Sequence, residues 1–301
     1  MIYATCLNES SEMVCNEYSI MDIISESVST IVEFCLTEME LMDESHIDDK
    51  YRNPKKKTKF DLIKEMVLRL WESFKTWCKS TKQKLLDVVA KVKAKINIRV
   101  KQKKSSSSSD TTSSKPKVKT LVLNDKFNKI DESKLMKNEI LDLSKYLQNY
   151  DKNLFENYDN STYTQSLIQD VTGGEFSSID DIKGKELVEE KDITEEEKNN
   201  INDINELTKK YDNMISEVDH YFNKLQDSIK KAESKFKGQM LPTAYSDDNI
   251  SAISSTPLQT KNMQQIINTV AKMIGAQSGV VRNIVYAKVD AISKVIESRA
   301  N

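Results

Sequence analysis

The chain has 301 residues, 38% of them apolar and 31% charged, with only 6 glycines and 4 prolines. An apolar share below the roughly 45–50% of globular domains argues against one large compact core. The scarcity of turn residues excludes β-sandwich and doubly wound folds, which need many tight connections.

Long helices need few turns, so the composition predicts an extended, all-α chain with little or no sheet. Its net charge of −2 hides a polarity: residues 1–50 carry 12 acidic and 1 basic side chains, residues 55–104 carry 17 basic and 4 acidic. An acidic block followed by a basic one points to nucleic acid, a membrane surface or intramolecular pairing.

Residues 1–54 form the acidic segment. Ile20, Ile23, Val28, Ile31, Cys35 and Met39 recur at helical steps, with Glu26, Glu33, Glu38 and Glu40 opposite, predicting a helix from Ser19 to about Glu44. Asn53-Pro54 closes it.

Residues 55–104 form a basic amphipathic helix. At about 100° per residue, Phe60, Ile63, Val67, Leu70, Trp71, Phe74, Trp77, Cys78, Leu85, Val88, Val89, Val92 and Ile96 fall within one arc of about 120°. Thr81 interrupts the arc and marks a joint between two shorter helices. Three uses of the aromatic side compete. Phe60, Trp71, Phe74 and Trp77 pack on another helix, with the acidic segment as natural partner; or they lie on a membrane surface beneath a basic polar face. In the third, the lysines contact phosphates, with Lys55, Lys56, Lys57, Lys91, Lys93 and Lys95 as candidates. Only Arg69 and Arg99 lie within this helix, so such binding is non-specific rather than base-reading.

Residues 105–117 are a Ser-rich linker that divides the chain in two. Residues 118–193 are mixed: "VKTLVL" reads as a short strand, Leu135, Ile140, Leu143 and Leu147 have helical spacing, and Asp151 to Lys191 reads as loops with short turns. Gly173-Gly174 lacks the spaced glycines and Lys-Ser/Thr of a phosphate cradle.

Residues 194–238 carry the sharpest pattern. Thr194 and Glu197 make a capping box. Leu207, Tyr211, Met214, Val218, Tyr221 and Leu225 then alternate in steps of three and four, as a coiled-coil seam does. Gly238 is a helix-ending residue with Pro242 beyond it. The bulk of two seam tyrosines favours an intramolecular antiparallel pair over a parallel dimer. Residues 239–259 are a loop, and residues 260–301 a C-terminal amphipathic helix, interrupted by small residues at Gly275-Ala276 and Ser278-Gly279 that permit a kink or close approach of another backbone.

Little here points to chemistry. Cys6, Cys15, Cys35 and Cys78 have no paired spacing and read as reduced thiols. His46 and His220 read as solvated, and four convergent metal ligands are lacking. No catalytic residue, cofactor, metal or small-molecule substrate is expected. No charge-free window of about 20 residues offers a membrane span, and the opening residues lack the features of a signal peptide.

The acidic helical N-terminus, the Lys-rich helix with Trp and Phe, the Ser-rich spacer and the heptad helices cover much of residues 1–104 and 194–298. That layout resembles virion structural proteins of tailed bacteriophages with AT-rich genomes. The resemblance implies a non-enzymatic head- or portal-associated or internal protein, made in the host cytoplasm and carried in the virion. Its partners would be other virion proteins, further copies of itself, DNA or a membrane surface. The competing reading is a non-viral coiled-coil protein that binds nucleic acid or membrane non-specifically.

Overall fold

The computed structural model describes residues 30–39, 59–105, 117–137, 142, 157–240 and 257–300. Helix α1 covers residues 30–39, followed by α2 (Lys59–Ser105), strand β1 (Lys117–Leu123) and α3 (Asp125–Lys129). After a 3-10 turn at Glu132–Lys137 come α4 (Asn160–Thr172) and two further 3-10 turns, Ile179–Asp181 and Gly184–Leu187. Strand β2 (Val188–Thr194), α5 (Glu195–Lys198), α6 (Ile201–Met240) and α7 (Pro257–Ser298) complete the chain. The described residues are mostly helical, and their strands form one two-stranded antiparallel sheet.

Three long helices, α2, α6 and α7, make the bundle. At 1.5 Å per residue they run about 70, 60 and 63 Å. Cross-links fix their directions. Along α2, Lys64 pairs with Glu233, Trp71 with Asp219, Lys82 with Asp212 and Lys93 with Asn205, so α6 runs antiparallel to α2. Tyr221 meets Gln277, and Arg299 meets Asp203, so α7 is antiparallel to α6. Trp77 stacks near Tyr286 and Arg99 reaches Arg299, which makes α2 and α7 parallel.

The seam residues Leu207, Tyr211, Met214, Val218, Tyr221 and Leu225 are all buried between the helices. Each large apolar side chain so covered contributes about 1.5–3 kcal/mol relative to exposure. Helix α7 is the hub. From Ile266 to Ala300 only Lys272 is exposed, because α2 and α6 cover one side while β1, α4 and the 3-10 turns cover the other. A helix apolar nearly all round is a buried helix. Two of its polar residues tie it to its surroundings: Lys288 donates to the Ile130 carbonyl (2.9 Å) and to Glu132 (2.6 Å), and the Ser298 hydroxyl bonds Thr120 and the Leu121 amide of β1.

Several expectations are corrected. Helix α2 runs unbroken through Thr81, whose hydroxyl returns to the Trp77 carbonyl at 2.9 Å and so satisfies itself within the helix. Helix α7 is likewise continuous past Gly275 and Ser278. The small residue at 275 serves close approach, since a Cβ there would lie 2.8 Å from the Val32 side chain of α1. Helix α6 passes Gly238 and reaches Met240, and its capping box belongs instead to the separate short α5.

The span read as loops from Asp151 to Lys191 holds α4, capped by Asp159 and ended by Gly173 at φ 63°, and most of β2. Nor does the Ser-rich segment separate two bodies: one core draws on α2 before it and on α6 and α7 after it. Closing a longer loop costs little, about 0.6 kcal/mol per doubling of length. Ile140, Leu143, Leu147, the linker interior, His46 and the acidic helix outside residues 30–39 fall outside the described residues.

Candidate functional site

The aromatic face of α2 is spent inside the molecule. Phe60, Phe74 and Trp77 are buried and Trp71 is half-buried. Phe74 packs with Trp77 and with Phe222 of α6 (ring centroids 5.5 and 6.0 Å), and Trp77 with Tyr286 of α7 at 5.7 Å. Trp71 donates its indole N–H to Asp219 at 3.1 Å, and the Lys75 ammonium sits 3.2 Å over its ring. Of these four residues, named above as membrane or partner contacts, Trp71, Phe74 and Trp77 meet other helices of their own chain and Phe60 is buried in the same core. The acidic segment joins the same packing: Arg69 lies 5.0 Å over the ring of Phe34.

Turning that face inward leaves the lysines outside. Lys79, Lys84, Lys91, Lys95 and Lys101 are exposed, and among the described residues none makes a hydrogen bond or ion pair. Lys84, Lys91 and Lys95 lie within about 40° of one another around the helix, and cover about 16 Å of its length. They continue the line of Trp77, so the row flanks the seam between α2 and α7.

Of the lysines proposed from sequence, the structure brings Lys91 and Lys95 into this row. Lys93 is set apart, on the α6 side, with its ammonium on Asn205 at 2.7 Å. Lys55, Lys56 and Lys57 lie outside the described residues. Lys84 was missed, although its spacing of seven and eleven residues from Lys91 and Lys95 places it on the same face. The two arginines of α2 are engaged: Arg69 with Glu65 at 2.6 Å, and Arg99 with the backbone carbonyls of Arg299 and Ala300.

Cys6 and Cys15 lie outside the described residues, and the two described thiols are buried. Burial pushes Cys78 up to about 12, with Asp219 adding to the rise, and pushes Cys35 up to about 11, with Glu65 adding to it. Neither is a thiolate at neutral pH, so neither is an activated nucleophile. His220 is exposed on α6. No helix of the described residues is long and apolar enough to cross a membrane.

No protein family matches the chain, and no characterised protein or solved structure matches it either.

Proposed function

We propose that this is a non-enzymatic assembly protein that holds nucleic acid by its phosphates, through the lysine row of α2. One observation carries the reading. The aromatics of α2 are packed inside while Lys84, Lys91 and Lys95 stand exposed and unpaired in one line. A helix with that division of labour offers charge beside only scattered exposed apolar side chains, Leu68, Leu86, Ile98 and Val100, and no aromatic one. A membrane-surface helix needs an apolar face as well as charge, and here the aromatic side would have to leave the bundle to reach lipid.

The binding is sequence-independent. Base reading in the major groove favours a planar guanidinium, and both arginines of α2 are already engaged within the chain. Ammonium groups act as point charges on phosphate. A row of about 16 Å matches roughly five nucleotides of one strand at 3.4 Å each.

The test is duplex-DNA affinity of the full chain, measured by fluorescence anisotropy across a salt series. Neutralising each phosphate contributes about −0.9 to the log–log slope. The variant Lys84→Gln/Lys91→Gln/Lys95→Gln should flatten the slope by about 2.7, whatever the DNA sequence. Lack of binding at low salt overturns the reading. The place of action we propose is the virion, supported by the layout of acidic helix, basic helix, serine tract and heptad helix. Mass spectrometry of purified particles tests it, and absence from particles favours the non-viral alternative.

A further inference from the structure

We propose that the end of the bundle where α5 meets the last turn of α7 is a binding site for a phosphate-type oxyanion, built by Arg99, Lys198 and Arg299. The site is distinct from the lysine row and does not depend on it.

Cationic residues from three parts of the chain are neighbours there. The guanidinium of Arg99, on α2, donates to the backbone carbonyls of Arg299 (3.1 Å) and Ala300. The guanidinium of Arg299 donates to the carbonyl of Glu197 at 2.8 Å, directly before Lys198 in α5. Two carboxylates border the cluster, and Asp203 already pairs with Arg299. Glu197 is held by the amide and hydroxyl of Thr194 at 2.7 and 2.9 Å. Asp203 stands 3.6 Å from Arg299 and also accepts from Asn200.

Two groups are left over. Lys198 is only 7% exposed, yet it has no hydrogen bond or ion pair among the described residues. Arg299 is equally buried, and its Nε–H is sealed from solvent without an acceptor among the described residues. Burial pulls the Lys198 pKa down, and the nearby Arg99 and Arg299 pull it further. Buried cations and unmet donors are costly unless something pairs with them. A tetrahedral oxyanion supplies several strong acceptors to donors arriving from different sides, and charge-assisted bonds of this kind are the strong ones. The Lys198 Nζ is not among the atoms sealed from solvent, so an anion can reach it.

The experiment is thermal unfolding of the full chain in rising inorganic phosphate, against sodium chloride at matched ionic strength. The expected result is a saturable rise in midpoint of roughly 2–4 °C that chloride does not give. Lys198→Met should abolish that rise. It should also raise the midpoint in phosphate-free buffer, because it removes one of three like charges. Lys198→Arg should keep the phosphate response, and Lys95→Gln, in the row, should leave it unchanged. Competition by a 5′-phosphorylated oligonucleotide, and not by its dephosphorylated form, would identify a nucleic-acid phosphate as the occupant; response to inorganic phosphate alone would identify the free anion. The proposal is overturned by a midpoint indifferent to phosphate, or by a rise that survives Lys198→Met. A midpoint lowered by Lys198→Met also overturns it, since that marks a purely structural lysine.

Discussion

The hydroxyl of Tyr221 donates to the side-chain oxygen of Gln277 at 3.1 Å, deep between α6 and α7. Both residues are almost wholly buried, and the amide nitrogen of Gln277 has no acceptor among the described residues. The bond joins two helices with a sequence separation of 56 residues. It therefore pins the register of the antiparallel pair in a layer where leucine and valine would permit sliding. Tyr221→Phe should cost about 1–3 kcal/mol in urea unfolding, because it strands a buried acceptor. Tyr221→Phe combined with Gln277→Met should recover most of that loss, since the stranded acceptor is removed with its donor. A double variant as unstable as the single one would show that the hydrogen bond is not the source.

Gly275 and Gly279 lie one turn apart on α7, in opposite surroundings. A Cβ at 275 would meet Val32 of α1 at 2.8 Å, whereas a Cβ at 279 would meet nothing within 4 Å. Gly279→Ala should therefore stabilise the chain by about 0.5–1 kcal/mol through helix propensity. Gly275→Ile should undock α1 and leave the bundle folded. Limited proteolysis would read this as faster cleavage between residues 40 and 58, with residues 59–300 retained. Unchanged cleavage would mean that Val32 does not hold α1 in place.

These residues also show what the sequence could and could not convey. The seam of α6 was legible because Leu207 to Leu225 follow a strict three–four alternation, which survives whatever helix covers it. The α2 stripe was legible for the same reason, but periodicity names a face and not its occupant, so the destination of Trp71 and Trp77 stayed open. Strand β2 was hidden. Glu189, Glu190, Lys191 and Asp192 are all exposed, and a short edge pairing needs no alternation of apolar residues to form. Helix α4 was masked by its Asn, Ser and Thr content, although Leu167, Ile168 and Val171 were spaced to bury together. The cation cluster at Lys198 is invisible in principle, since its members are about 100 residues apart and meet only once the bundle closes.

Stability should fall with alkaline pH, and the buried thiols set the direction. Cys35 and Cys78 ionise near 9 when exposed, and at about 11 and about 12 in the folded chain. Between pH 9 and 11 the unfolded state has lost these protons while the native state keeps them. Fewer protons bound on unfolding means stability present below pH 9 and lost as pH rises. From pH 9 to 10 each thiol should account for about 1 kcal/mol of the decline. Urea titrations of the Cys35→Ala/Cys78→Ala variant should give a flatter pH slope, even though the cavities lower its stability overall. A slope equal to that of the unmodified chain would assign the decline to other groups.

Lys91 and Lys93 stand two residues apart, about 200° around α2, and that difference should be visible in DNA binding. Lys91 is exposed and makes no hydrogen bond or ion pair among the described residues. Lys93 is half-buried and tied to Asn205 at 2.7 Å, on the opposite flank of α2. If phosphates lie along the row beside α7, a free ammonium on that flank releases one counterion and a tethered one on the other flank does not. Lys91→Gln should then flatten the log–log salt slope by about 0.9. Lys93→Gln should change it by less than half as much. Losing Lys93 should instead show as a small fall in stability, since an exposed polar contact contributes up to about 1 kcal/mol. Equal effects from the two variants would mean that DNA spans both flanks and that the row is no special surface. If neither variant moves the slope, the phosphates bind elsewhere on the chain.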